Sequence, residues 1–367
     1  MRIAQIEVFG YELTYAGGAF TMSQGRTVGA QSSTLVRITT DSGLAGWGEA
    51  CPLAGTYLPA FGAGVRAALE VLVPALIGAD PRNLAEVRQR LDRTLMGQAA
   101  AKSPLDIACW DILGQATGEP LATLLGGRVS ERFALYLAIA SGTPDEMVER
   151  VREGWDRGLR SFQLKVGGDP RADAEAVRRV VELVGEDSVV VADANGAWSL
   201  QDALIAARLL DSMPVFLEQP CRTLADCRWV RHASRLPMIY DECVTDATSL
   251  VAAVREGGGG GVNLKLGKVG GLTPAKALRD LAQELGVELT IEDTWGGDVA
   301  TAAVSHLAAS TTPASLFAVS FLNDATCEHV AGHQPASVDG YGSAPAGAGL
   351  GIVVDTAALG APLLRVR

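Results

Sequence analysis

The chain has 367 residues and is 48% hydrophobic, which suffices for a large core and, against the size of an ordinary domain, suggests about two folding units. A formal net charge of −11 argues against nucleic acid or an anionic membrane as a partner. Four histidines, with no HExxH pattern and no Cys/His cluster, argue against a zinc site, and no run of about 18 apolar residues offers a membrane span.

The N-terminal stretch "MRIAQIEVFGYEL" alternates as a strand does and lacks the apolar centre of a signal peptide. Six cysteines, at positions 51, 109, 221, 227, 243 and 327, are scattered without CxxC spacing, the pattern of reduced thiols in a cytoplasmic protein. Residues 31–48, "QSSTLVRITTDSGLAGWG", alternate with period two about Asp41-Ser42-Gly43 and predict a hairpin. Helical periodicity follows over 62–76, 83–95 and 99–117, the last stopped by Gly118 and Pro120. Strands followed by helices predict an α+β domain, placed at 1–125.

From there the pattern becomes strand, loop, helix, repeated roughly every 25 residues. Apolar strands are predicted at 161–166 ("SFQLKV"), 188–192 ("SVVVA"), 214–217 ("PVFL"), 237–240 ("PMIY"), 262–266 ("VNLKL") and 287–291 ("VELTI"), with amphipathic helices such as 173–184 and 275–285 between them. Continuous apolar strands alternating with helices predict a parallel sheet covered by helices, and so sustained a repeat predicts an α/β fold of the (β/α)8 TIM-barrel type over 126–329. The competing open doubly wound sheet would place a GxGxxG turn after an early strand, and none is present.

Charged residues recur at the C-terminal ends of these strands, the face where barrels keep their chemistry. Lys165 closes the first strand, Asp193 follows the second, Glu218 the third, Asp241 and Glu242 the fourth; Lys265 lies near the end of the fifth, and Glu292 and Asp293 end the sixth. Any one acid alone reads as a helix cap. Three on consecutive strands, Asp193, Glu218 and Asp241, would point at one spot, where buried carboxylates need a counter-charge, and hard oxygen donors in that number suit Mg²⁺. Asn195 and Glu242 then read as groups orienting those ligands. Lys165 precedes the three acids and Lys265 follows them, so the pair is expected to flank the ion, with pKa values lowered by desolvation and the cation. Such a lysine can take the α-proton of a bound carboxylate, giving an enediolate. Lys268 reads as either a snorkelling residue at the barrel rim or a structural ion pair.

The segments "QLKVG", "ADANGAW", "FLEQP", "YDE", "NLKLGKVGGLT" and the helix "AKSPLDIACWDILGQATGEPLATLLGG" together resemble the enolase superfamily, in its mandelate racemase/muconate lactonizing enzyme branch. The resemblance spans nearly the whole chain and implies a capping domain completed by about 330–367, with "GAGLGIVVD" as a closing segment, and a barrel. It implies Asp193, Glu218 and Asp241 as Mg²⁺ ligands and Lys165 and Lys265 as the acid/base pair, in agreement with the strand-end reading. One departure stands out: the family's Lys-x-Lys is here Gln163-Leu164-Lys165, so the basicity of Lys165 rests on the metal and on burial.

Gln163-Leu164-Lys165, "TMSQGR", "WGEACPLAGTY", "LEQPC" and "EDTWGGD" are similar to the subgroup acting on proline derivatives, namely cis-3-hydroxy-L-proline dehydratases and 4-hydroxyproline betaine 2-epimerases. A dipeptide epimerase would carry Asp-x-Asp after the last strand, where this chain has "SFLNDATC". That stretch favours the dehydratase; Trp295, an aromatic face for a quaternary ammonium, favours the epimerase. Tyr57, Asp293, Trp295 and Gln163 are the expected substrate-facing groups, with Phe321 helping to enclose a small proline-derived carboxylate. The remaining class of reading, a non-catalytic barrel, would tolerate losing an acid or a lysine, and none is missing. A homo-oligomer is expected. The glycine run at 257–261 precedes a strand, so it reads as a flexible connection rather than a phosphate loop, which would precede a helix.

Overall fold

Period-two alternation in the first strand decides the layering of the N-terminal domain. In β1 (Ile3–Thr14), Ile6 and Val8 face one core while Phe9 and Leu13, on the opposite face, join two others, as a pleated strand allows. β1 pairs antiparallel with β2 (Ala30–Thr40), which turns back as β3 (Ala45–Ala50), the expected hairpin. Ile6, Val8, Val36 and Ile38 pack on α1 (Gly62–Leu72), α2 (Leu84–Thr94) and α3 (Ala99–Thr117). The helix expected over 62–76 becomes a 3-10 turn at Val73–Leu76, where Pro74 has no amide proton to continue it. The coordinates, a computed structural model, describe residues 1–258 and 260–367; the glycine run at 257–261 thus includes a residue, Gly259, outside the described ones.

α3 is apolar around most of its circumference because it lies between two layers. Leu105 and Ile112 join the core under the sheet, whereas Ile107 and Trp110 join the barrel-side core. Its close approach to β3 depends on two glycines. A Cβ at Gly48 would lie 1.9 Å from the Pro104 carbonyl oxygen, and one at Gly46 would lie 2.3 Å from that of Ala108.

Beyond α3 come eight parallel strands, hydrogen-bonded in chain order: β4 (Tyr136–Ile139), β5 (Ser161–Lys165), β6 (Val189–Asp193), β7 (Val215–Glu218), β8 (Met238–Tyr240), β9 (Gly261–Lys265), β10 (Glu288–Glu292) and β11 (Leu316–Val319). A bridge between Leu135 and Val319 closes the seam. Outside them lie α4 (Pro144–Asp156), α5 (Pro170–Val184), α6 (Leu200–Leu210), α7 (Leu224–Ala233), α8 (Ala247–Gly257), α9 (Leu266–Val269), α10 (Leu272–Glu284) and α11 (Asp298–Ala309). The expected barrel is therefore present. The six strands read from sequence are its middle; β4 ("YLAI") and β11 ("LFAV") flank the seam and are four-residue apolar runs that periodicity alone does not separate from helix. The chain ends as β12 (Leu364–Val366), which returns to the N-terminal sheet beside β1, with Val8 opposite Leu364. All six cysteines are free, and no helix among the described residues is long and apolar enough to cross a membrane.

The Gly48 contact meets backbone, which cannot swing aside. Gly48→Ala should therefore cost about 2–3 kcal/mol or more of folding stability, measured by urea denaturation. A loss below about 0.5 kcal/mol, the range of a neutral surface change, would contradict this packing.

Candidate active site

The strand register brings the charged strand ends side by side. Lys165 is paired in register with Asp193, Asp193 with Glu218, and Lys265 with Glu292. Asp241 follows β8 directly, and its N–H donates to the Gln219 side-chain oxygen at 2.9 Å. Asp193, Glu218 and Asp241 are 1%, 2% and 0% exposed, so none is a solvated surface charge. Nor do they cap helices. The helices after these strands are capped by Ser199, Thr223 and Asp246, several residues further on.

One layer below, amides hold the central acid. Gln163 donates to one oxygen of Glu218 at 2.8 Å, and Asn263 donates to the other at 3.0 Å. Asn263 also donates to Glu292 at 2.6 Å, and the Tyr136 hydroxyl donates to the other Glu292 oxygen. The lysines complete the ring: Lys165 donates to Asp193 at 2.5 Å, and Lys265 to Asp241 at 2.6 Å with Glu292 3.3 Å away. Lys268 sits behind, donating to the Asp241 carboxylate and carbonyl, each at 2.7 Å, and to the Asn263 carbonyl at 2.9 Å; of its two expected roles it takes the structural ion pair and not the snorkelling rim residue. Asn195, held at a φ of 47°, donates through its backbone to Asp193 at 2.8 Å and through its side chain to Asp193 and Glu242 at 3.0 and 3.1 Å.

Electrostatics follow from this crowding. Burial, with Asp193 and Asp241 close by, holds the Glu218 carboxyl well above its ordinary value. Burial also raises Asp241, but Lys265 and Lys268 outweigh it and leave Asp241 lowered. Burial beside Asp241 and Asp193 pushes Glu242 up to about 8. The lysines correct an expectation. Burial pulls Lys165 down, yet Asp193 and Glu218 overcome it and leave the ammonium raised; Lys265 is raised further, by Asp241 and Glu292. Each ammonium stands against a carboxylate and supplies its counter-charge. The three acids are accordingly adjacent in backbone and in field, but their oxygens face lysines, and among the described residues no three His, Cys, Asp or Glu side chains stand as a metal-holding group. The donor chemistry does fit a hard divalent cation: three buried carboxylates stand on neighbouring strand ends, and Asp193 and Asp241 both help to hold the Glu218 carboxyl above its ordinary value.

The capping domain reaches into this ring. The Tyr57 hydroxyl donates to Asp241 at 2.5 Å, accepts from Lys265, and has the Lys265 ammonium 4.7 Å from its ring centroid. Ser23, in the "TMSQGR" stretch, donates to Asn195 at 3.3 Å. Asp293 uses one oxygen to accept from the Gly267 and Thr294 amides at 2.8 and 2.7 Å, while its other oxygen has no partner; burial pushes it up to about 7. Trp295 lies against Tyr15 and Phe20, with centroids 5.9 and 6.3 Å away, and its buried indole N–H has no hydrogen-bond partner. Together with Phe321 these rings line a cavity of about 830 Å³, which the network reaches through Tyr136, whose hydroxyl donates to Glu292.

The structure thus joins Gln163, Lys165, Asp193, Asn195, Glu218, Asp241, Glu242, Lys265 and Tyr57 in one network, and puts Asp293 and Trp295 at its rim. Asn263, Glu292 and Tyr136 carried no role in the sequence reading. Asn263 had a signal: a polar residue inside an apolar strand, two before Lys265 and so on the same face. Asn263→Leu keeps the volume but strips a donor from both Glu218 and Glu292. It should cost about 2–4 kcal/mol in urea denaturation, and a change under about 0.5 kcal/mol would show that these contacts matter little.

Comparison with known proteins agrees with this geometry. The family model described as mandelate racemase/muconate lactonizing enzyme, N-terminal domain, matches residues 6–126, and the one described as enolase C-terminal domain-like matches 146–358. The chain is 40% identical over 365 residues to the cis-3-hydroxy-L-proline dehydratase of Roseibium aggregatum, covering 100% of both chains. It is 29% identical to the N-succinyl-L-Arg/Lys racemase of Bacillus cereus, over 84% of this chain and 85% of that one. Among solved structures, a member of the enolase superfamily from Roseovarius nubinhibens, crystallised with magnesium, superposes with a TM-score of 0.93 at 36% identity, covering 100% of this chain and 99% of that one. By fold, by strand-end residues and by these matches, the chain belongs to the mandelate racemase/muconate lactonizing enzyme family of the enolase superfamily.

Proposed function

We propose that the chain is a Mg²⁺-dependent enzyme that removes the α-proton of a small proline-derived carboxylate, and that its reaction is the dehydration of cis-3-hydroxy-L-proline. One observation carries the reaction class: two buried lysines, on β5 and β9, bracket three buried acids on the strands between them. Full-length similarity to a dehydratase of that substrate supports the choice within the class.

Asp193, Glu218 and Asp241 would hold the ion, with Asn195 and Glu242 orienting Asp193, and Gln163 and Asn263 orienting Glu218. When bound, Mg²⁺ supplies the positive charge that offsets the negative charge gathering on the substrate carboxylate as the α-proton leaves. With Asp193 and Asp241 turned to such an ion, Lys165 and Lys265 would no longer be needed as their counter-charges, and either lysine would be free to act as a base. In cis-3-hydroxy-L-proline the hydroxyl and the carboxylate share a ring face, so the α-hydrogen and the hydroxyl lie on opposite faces. Lysines on separate strands suit that stereochemistry. One takes the α-proton as the Cα–H bond breaks; the other gives a proton to the departing hydroxyl as the C3–O bond breaks, releasing water. The resulting enamine becomes the cyclic imine by moving a proton from nitrogen to carbon. Tyr57 orients Lys265, and the free oxygen of Asp293 offers an acceptor for the ring nitrogen.

A second reading, 2-epimerisation of 4-hydroxyproline betaine, is favoured by the aromatic group of Trp295, Tyr15 and Phe20 along the cavity, a surface suited to a quaternary ammonium. The two separate by product. Proton NMR in D₂O should show loss of the carbon-bound C3 hydrogen signal and formation of the imine from cis-3-hydroxy-L-proline. Deuterium at C2 with inversion, from the betaine alone, would establish the epimerase instead. Turnover of dipeptides or acyclic sugar acids and of neither proline compound would overturn the proline-type reading.

Exhaustive chelation should abolish turnover and added Mg²⁺ restore it; unchanged activity after chelation would refute the metal role. Lys165→Ala and Lys265→Ala should each lower dehydration by about 10³-fold or more. The variant that keeps its base should still exchange the α-proton with D₂O, whereas the other should not. Near wild-type turnover in either variant would show that its lysine is dispensable.

A further inference from the structure

Glu49, in β3 of the N-terminal domain, is fully buried and accepts four hydrogen bonds, all from neutral donors. Tyr11 and Ser33 donate to its Oε1 at 2.6 and 2.7 Å. The other two donors come from the barrel: the Gly297 N–H at 3.0 Å to the same oxygen, and the Ala300 N–H at 2.9 Å to Oε2. Ala300 lies in the first turn of α11, and Gly297 is the residue before that helix, which provides it no side-chain cap. A carboxylate from the other domain does that work, where the helix dipole favours negative charge. The fit is close. A Cβ on Gly297 would stand 2.3 Å from the Tyr11 hydroxyl and 3.2 Å from Glu49 Oε1. Two residues along from Glu49, the Cys51 carbonyl accepts from the Thr294 hydroxyl at 3.0 Å.

These two anchors fix the segment from Thr294 to Gly297, which carries Trp295 and directly follows Asp293. We propose that Glu49 is a positioning residue: through α11 and the Thr294–Gly297 segment it sets Trp295 and Asp293 against the substrate, and so affects substrate affinity without itself touching substrate. This rests on the proposed placement of substrate beside Asp293 and Trp295.

The test compares Glu49→Gln, Gly297→Ala and Ser33→Ala in the full chain, by steady-state kinetics with cis-3-hydroxy-L-proline and Mg²⁺ and by amide hydrogen exchange read by mass spectrometry. Glu49→Gln turns an amide NH₂ toward one of the barrel's backbone donors, and Gly297→Ala pushes the segment off the carboxylate while leaving every donor in place. Both should raise KM by about tenfold with kcat within about threefold, the signature of lost substrate positioning. Both should also speed exchange across 293–300 relative to the barrel strands. Ser33→Ala removes a donor from Glu49 without touching that segment, and should leave KM at the wild-type value. Wild-type KM and wild-type exchange over 293–300 in both Glu49→Gln and Gly297→Ala would overturn the proposal, as would an equal KM rise in Ser33→Ala. If Glu49→Gln does not fold, Gly297→Ala decides. If the wild type turns over no proline compound, the functional reading fails on that result alone, and exchange over 293–300 still decides whether Glu49 holds the segment.

Discussion

Three carboxylates buried at the ends of neighbouring parallel strands repel one another, and the rest of the site is arranged around that repulsion. Asp193, Glu218 and Asp241 are almost wholly out of water, and each is met by a group that offsets its charge or fills its lone pairs. Lys165 meets the first, Gln163 and Asn263 the second, and Lys265 and Lys268 the third. Such an arrangement would be a poor way to stabilise a barrel, since buried ion pairs recover their desolvation cost incompletely and an apolar layer would serve as well. Its usefulness lies in poise. A divalent cation can replace two ammonium groups as the counter-charge and so turn structural lysines into proton-transfer groups.

The same constraint explains why a second domain is built against the strand ends. Charges gathered in a barrel mouth act strongly only where water is excluded. The N-terminal domain supplies that cover through a few specific contacts: Tyr57 on Asp241, Ser23 on Asn195, Cys51 on Thr294 and Glu49 on the first turn of α11. Its own packing allows the approach. The glycines at 46 and 48 let β3 lie on the backbone of α3, and α3 presents Ile107 and Trp110 to the barrel side. Asp111 on the same helix accepts from the Trp47 amide at 2.9 Å and from the Leu350 amide at 2.9 Å, tying β3 and the C-terminal segment together.

Much of this was legible in the sequence because parallel strands have a simple code. A run such as "VVVAD" is apolar where both faces are covered and polar only at its tip, so Lys165, Asp193, Glu218, Asp241 and Lys265 stand out by position. Helix α3 was equally legible, with its stop at Gly118, which takes a positive φ of 75°. What escaped depends on contacts between distant segments. Asn263 and Tyr136 matter because of partners 45 and 156 residues away, and no local period encodes them. Glu49 reads as one more acid in "WGEACPL" until α11 is seen to begin against it. The direction of the lysine shifts also escaped, because it depends on which cation balances the acids. The expectation of lowered values assumed the metal; with the lysines themselves as counter-ions, both rise.

That exchange of counter-ions is the central claim, and a crystal structure of the enzyme soaked with Mn²⁺ in place of Mg²⁺ tests it most directly. Anomalous scattering should locate one ion with an oxygen each from Asp193, Glu218 and Asp241 at about 2.0–2.3 Å, and the Lys165–Asp193 and Lys265–Asp241 pairs should open beyond hydrogen-bonding distance. An ion bound elsewhere, or both lysine–acid pairs intact in an enzyme that turns over in the same buffer, would contradict it.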